Sequence, residues 1–217
     1  LDPWMGQQLL GAIAPLFSAE NVLKGRSLFA GKTGQHVASD GVTIVDDPRL
    51  PGGMRSAPFD GEGIATRRRV LVDRGILAGY LHSLKTASKT GTRPTGNARR
   101  GSYSGPAQIA PANLHVAAGA DEPSDLARRV DRALAVTTLL NLHTIDPISG
   151  EFSLGAAGDV LERGERAYPV QGITIAGNLT HLLASIAGMG SDLTFGPSGI
   201  GSPTLLISEL SIGVKSL

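Results

Sequence analysis

Turn-forming residues break this chain so often that no apolar run grows long. Of its 217 residues, 29 are Gly and 13 are Pro, so the apolar segments between them have room for short strands and few long helices. Val42-Thr43-Ile44-Val45 is β-branched and stops at Asp46-Asp47-Pro48, which reads as a strand ended by a turn. Arg69-Val70-Leu71-Val72 and Ile76 to Tyr80 flank Asp73-Arg74-Gly75, the pattern of a β-hairpin. Asn113 to Ala117, Leu139 to Ile145, Phe152 to Leu154, Val160 to Glu162, Tyr168 to Val170, Ile173 to Ile175, Thr204 to Ile207 and Leu210 to Ile212 read as further strands. The Gly-Ala-Ala-Gly run from Gly155 reads as a break, and Arg163-Gly164-Glu165 as a hairpin turn.

Three segments read as substantial helices. Asp2 caps the first, Pro3 opens it, and Met5, Leu9, Ile13 and Leu16 share one stripe, with Pro15 ending or kinking it near Phe17. The second starts at Ser124, with Leu126, Val130, Ala133 and Leu134 on one face; the third follows Asn178 with Leu179, Leu182, Leu183 and Ile186. His82 to Lys89 reads as a short helix and Thr90 to Gly105 as a long loop. These elements predict an α+β fold, a largely antiparallel sheet with about three helices, as a single domain over residues 1–217.

Charge excludes several function classes. Charged residues are 18% and the formal net charge is +1, which suits neither a disordered polyelectrolyte nor a basic nucleic-acid binder. No apolar run reaches the roughly 18 residues of a membrane span. The absence of Cys removes thiol nucleophiles, disulfides and Cys-ligated metal, and favours a cytoplasmic setting. The chain begins with Leu rather than Met, so the expectation is that a natural amino terminus lies upstream.

Candidate chemistry is sparse. The five His fall at 36, 82, 115, 143 and 181, none spaced as a helical metal pair. Gly101-Ser102-Tyr103-Ser104-Gly105 has Tyr where a nucleophile elbow needs Ser. Gly96-Asn97-Ala98-Arg99-Arg100-Gly101 offers backbone donors and two cations, so Asn97, Arg99 and Arg100 form a candidate loop for a carboxylate or phosphate. Arg67-Arg68-Arg69 lies at a strand start, and Asp46-Asp47 and Asp60-Gly61-Glu62 read as turn caps.

Eight segments, in order, carry a resemblance. They are Gly25-Arg26-Ser27 with Gly34-Gln35, Asp46-Asp47-Pro48, Phe59 to Gly63, Gly75 to Leu81, Pro94 to Arg100, Ser149 to Ser153, Glu162 to Glu165 and Gly201 to Thr204. Together they resemble the carboxy-terminal half of the TldD/PmbA family, also called TldD and TldE and described as modulators of DNA gyrase. The resemblance implies that an amino-terminal α/β domain of the family is absent from this chain.

In the TldD type, that half opens with a helix bearing His-Glu-x-x-x-His and adds a later Cys zinc ligand. Counting back from Phe29 and Gly31, the motif falls on Leu10 to Pro15, with Leu10, Gly11 and Pro15 in place of its two His and Glu. The Cys-bearing insertion is also missing, since Ser191 to Phe195 runs almost directly to Ser202-Pro203. The chain therefore resembles the PmbA/TldE type. The resemblance implies a subunit with no catalytic residues, metal or cofactor of its own. Its partner would be a TldD-like metallopeptidase paralogue, or a second copy in a homodimer, and its substrate a peptide or unfolded protein, without direct nucleic-acid or membrane binding. The alternative is an independent peptidase or hydrolase whose site is unrecognised, centred on Thr95 to Arg100.

Overall fold

A computed structural model describes residues 1–102 and 104–214; Tyr103, at the centre of the segment weighed as a nucleophile elbow, lies outside them. Two short helices open the chain, α1 (Pro3–Ile13) and α2 (Ala19–Leu23), joined by a 3-10 turn over Ala14–Phe17. Then come β1 (Ile44–Asp46), β2 (Arg69–Asp73), β3 (Ile76–Leu77), α3 (Leu84–Thr90), β4 (Ala98–Arg99), β5 (Gln108–Ile109) and β6 (Leu114–Val116). The second half holds α4 (Pro123–Arg128), β7 (Arg132–Leu140), β8 (Glu151–Glu162), β9 (Glu165–Asn178), α5 (Leu179–Ala184) and β10 (Ile186–Met189). It closes with β11 (Thr194–Phe195), β12 (Gly201–Ser202), β13 (Leu205–Ile207) and β14 (Ser211–Val214).

The fold is mixed and mostly antiparallel. One sheet runs β11-β12-β6-β1-β2-β3 and another β14-β9-β8-β7, with two-stranded pairs β10-β13 and β4-β5. Only β12 and β6 pair in parallel among the described strands. The predicted hairpin is β2-β3, turning at Arg74 and Gly75 with φ of 46° and 79°, the positive values that such tight turns require.

The first helix forms as its pattern predicts. Asp2 accepts from Met5 N at 2.7 Å, and Met5, Leu9, Ile13 and Leu16 are all buried. Pro15 lacks an N–H for an α-turn, and the α-helix gives way to the 3-10 turn one residue before it. This helix lies against β12, β11 and β7, so a single apolar cluster joins it to both large sheets.

Four expectations change. The helix at Ser124 runs from Pro123 to Arg128, with Glu122 rather than Ser124 at the N-cap position and no side-chain capping bond, and Ala133 and Leu134 belong to β7. The apolar spacing fits a helix, but pairing with β8 along the whole strand takes these residues instead. Leu139 to Ile145 does not continue as strand, because Asn141 turns left-handed (φ 64°) into a 3-10 turn over Leu142–Thr144. Gly155 to Gly158 breaks nothing and lies inside β8, whose partner in turn is the single strand β9 across both apolar pieces seen in the sequence. A Cβ on Gly158 would lie 2.9 Å from Ala135 C, so this glycine serves strand approach rather than a turn. Ile186 belongs to β10, not to the helix that Asn178 caps. The described residues thus hold five short α-helices.

Ser83 and Thr86 make a capping box at α3, with Ser83 Oγ accepting from Thr86 N and Thr86 Oγ1 accepting from Ser83 N. Ser83→Ala is expected to cost about 1 kcal/mol, read as a lower urea midpoint at unchanged slope.

Candidate functional site

Two places bear on function. The first is the buried side of α1, held close to β12 because Gly6 has no side chain: a Cβ there would sit 2.8 Å from Ser202 Cβ. Leu10 is 3% exposed and belongs to the core. Gly11 is half-buried with Ile200 above it, and Pro15 is exposed. Beside Pro15 a cleft of about 510 Å³ is lined by Ile13, Asn21, Arg26, His143 and Ile145. Leu10, Gly11 and Pro15 supply no side-chain nitrogen, oxygen or sulfur, and among the described residues no three His, Asp or Glu converge. A zinc ion needs three or four such donors, so these positions do not fit one.

The second place is built around Asp46 at the end of β1. Its side chain is fully buried, with Oδ1 accepting from Ala112 N at 2.7 Å and Oδ2 from Asn97 Nδ2 at 2.6 Å. Its neighbour Asp47 caps a turn by accepting from Arg49 N, and Asp60 accepts from Glu62 N and Ile64 N, as read from sequence. Asp46 differs from that reading: it is a core acceptor rather than a turn cap. Asp60 Oδ2 also accepts from Ala98 N, which ties the 60s loop to β4.

The candidate binding loop divides. Asn97 is 1% exposed and engaged by Asp46. Arg99 is half-buried and donates to Arg55 O at 2.8 Å. Arg100 is exposed, donating to Gly61 O at 3.1 Å and Gly105 O at 2.6 Å. Sequence reasoning passed over Arg69 and His82. Arg69 Nε donates to Thr95 O, and Thr95 Oγ1 accepts from His82 N. Two hydrogen-bonded groups result, Asp46 with Asn97 and Arg69 with Thr95 and His82, and the charges of Arg69 and Arg99 act on Asp46.

Burial sets the electrostatics of this cluster. Desolvation pushes the Asp46 carboxyl up, against its two hydrogen bonds and the Arg99 charge. Burial also pulls Arg99 and Arg69 down, with Asp46 opposing in each case. His82 is pushed below its usual value by burial and then by Arg69, and His115 by burial. The unfolded chain therefore binds protons on these His that the folded chain refuses, so their contribution to stability is present above about pH 6.5 and is lost as pH falls toward the folded values. Urea titrations from pH 7.5 down to 5 are expected to show falling stability, with a shallower fall in His82→Gln. Asn97 Oδ1 and His82 Nδ1 are buried with no hydrogen-bond partner among the described residues.

The family described as "PmbA/TldA metallopeptidase C-terminal domain" matches residues 1–214. The chain belongs to this family. It is 33% identical over 204 residues to the metalloprotease PmbA of Escherichia coli O157:H7, covering 94% of the chain and 42% of PmbA. It is 30% identical over 224 residues to a metalloprotease TldD homologue of Haemophilus influenzae, covering 97% and 46%. Among solved structures, TldE from Thermococcus kodakarensis superposes with a TM-score of 0.86 at 27% identity, covering 96% of the chain and 48% of TldE. A Thermotoga maritima protein described as a candidate modulator of DNA gyrase gives a TM-score of 0.87 at 38% identity, covering 95% and 47%. The chain thus spans under half the length of these PmbA/TldD relatives.

Proposed function

We propose that this chain is a PmbA/TldE-like subunit without catalytic machinery of its own. It shapes a substrate chamber shared with a TldD-like metallopeptidase paralogue and takes part in cytoplasmic proteolysis of peptides or unfolded proteins. The observation that carries this reading is the chemistry of α1. Leu10 is core, Gly11 has no side chain and Pro15 breaks the α-turn, so nothing on this helix can activate a water or polarise a carbonyl through zinc.

In a complex of this kind, the chain's part is steric and electrostatic. The cleft beside Pro15 presents an apolar wall with Arg26 and His143 at its edge, suited to holding an extended peptide. The bonds of Asp46 to Asn97 and of Arg69 to Thr95 hold the Thr95 to Arg100 loop as a support, with Arg99 and Arg100 as candidate contacts for an anionic group.

The test uses the full-length protein, alone and mixed with a His-Glu-x-x-x-His paralogue from the same host. Zinc well below one per chain, no peptide cleavage alone and cleavage in the mixture are expected. Stoichiometric zinc, or cleavage by the protein alone, overturns the proposal and favours an independent enzyme. Size-exclusion chromatography of the mixture separates the paired complex from the alternative homodimer.

A further inference from the structure

Two strand edges face one another across a cleft in this fold. The first is β7, which among the described strands pairs with β8 alone and ends the four-stranded sheet; the second is β13, whose one partner among those strands is β10. The cleft between them has cavities of about 320 Å³ and 220 Å³, lined by apolar side chains that include Val130, Leu134, Leu206, Ile207 and Leu210. At its closed end Leu1 and Asp2 already bridge the two edges. Leu1 N donates to Leu205 O at 2.8 Å and Leu205 N donates back to Leu1 O at 2.9 Å, the reciprocal bonds of an antiparallel pair. Asp2 N donates to Val136 O at 3.4 Å on the other side.

We infer that this cleft is a strand slot filled by the polypeptide on the amino-terminal side of Leu1 in the full-length protein. The length of the relatives, more than twice the span matched here, leaves ample chain to fill it. Strand alternation sets the register. Thr204 O accepts from Gly190 N and Ser208 N donates to Ser185 O, so the even-numbered residues of β13 face the β10 side. Leu205 and Ile207 face the slot, and the residue two before Leu1 falls opposite Ile207. The filled slot would join the four-stranded sheet to the β10-β13 pair through one shared strand. Its alternate side chains would be apolar to match Leu134, Leu206 and Leu210.

The chain has no Cys, so a cross-link can report the register without background. In the full-length protein, Ile207→Cys is combined with Cys placed two residues before Leu1 or, separately, six residues before it. Facing residues of an antiparallel pair lie within disulfide reach, and residues four further along do not. Mild oxidation is expected to close the first pair at least tenfold faster than the second. Equal rates, or no closure of the first pair, overturn the inference. So does a mature protein from its native host whose intact mass begins at Leu1. If the double-Cys proteins fail to fold, hydrogen exchange on the unmodified full-length protein decides: Ile207 N–H should be protected at least 100-fold over an open amide, and an unprotected Ile207 beside a protected Leu205 overturns the slot. Neither readout involves peptidase activity, so this inference and the proposed function can fail separately.

Discussion

Gly6→Ala lowers stability by about 2 kcal/mol, although helix propensity alone predicts a gain of about 1 kcal/mol at a helix interior. The reason is the approach of α1 to β12. The new methyl lands on Ser202 Oγ, with Ser202 Cβ 2.8 Å away and Pro203 O at 3.5 Å. Ser202 is fully buried, and its hydroxyl donates to Pro203 O, so it has little freedom to withdraw. The helix must shift off the sheet, loosening Leu9 and Leu10 in the core. Urea denaturation measures the loss, and Ser202→Gly in the same protein should restore at least half of it by removing the first atoms met. A stabilised Gly6→Ala would show that α1 moves freely on β12.

Asp46→Ala is the second large effect, expected at about 3 kcal/mol. The substitution strands Ala112 N–H and Asn97 Nδ2, both held by the carboxylate now, and each buried orphan donor costs about 1 to 3 kcal/mol. Part of that loss is offset, because burial of the carboxyl is itself unfavourable, as its raised pKa shows. Asp46→Asn keeps one acceptor and should fall between Ala and the parent. The pair Asp46→Leu with Asn97→Leu removes both partners together and should cost less than the sum of the single changes. Denaturant midpoints of the five variants, the two single Leu changes included, check the order, and a neutral Asp46→Ala would remove Asp46 as the anchor of the Thr95 to Arg100 loop.

How much of this was legible in the sequence depends on the range of the forces involved. Local signals held where neighbours decide the outcome. Asp2 and Asn178 cap their helices, Pro15 ends the first α-helix, and Asp73-Arg74-Gly75 turns the hairpin. They failed where distant pairing decides. Ala133 and Leu134 fit a helical face, yet β8 draws them into a strand. Gly158 looked like a break because its contact with Ala135 lies across a ladder and not along the chain. The site follows the same division. Asn97, Arg99 and Arg100 stood out as a Gly-flanked run, but Arg69 and His82 join them only through Thr95 and Asp46, and a buried Asp beside a Pro-ended turn has the same local pattern as a cap.

The seating of α1 constrains the order in which the molecule can fold. The apolar stripe of the first helix is covered by β7, β11 and β12, while Leu1 just before it bonds to Leu205, 204 positions away. Until that late segment leaves the ribosome, Met5, Leu9 and Ile13 have only part of their cover, the side offered by β7. Contacts this distant in sequence close slowly, because the loop-closure entropy comes before the reward. Synthesis of this chain therefore leaves the first helix waiting, its apolar face partly open, for the last strands to arrive.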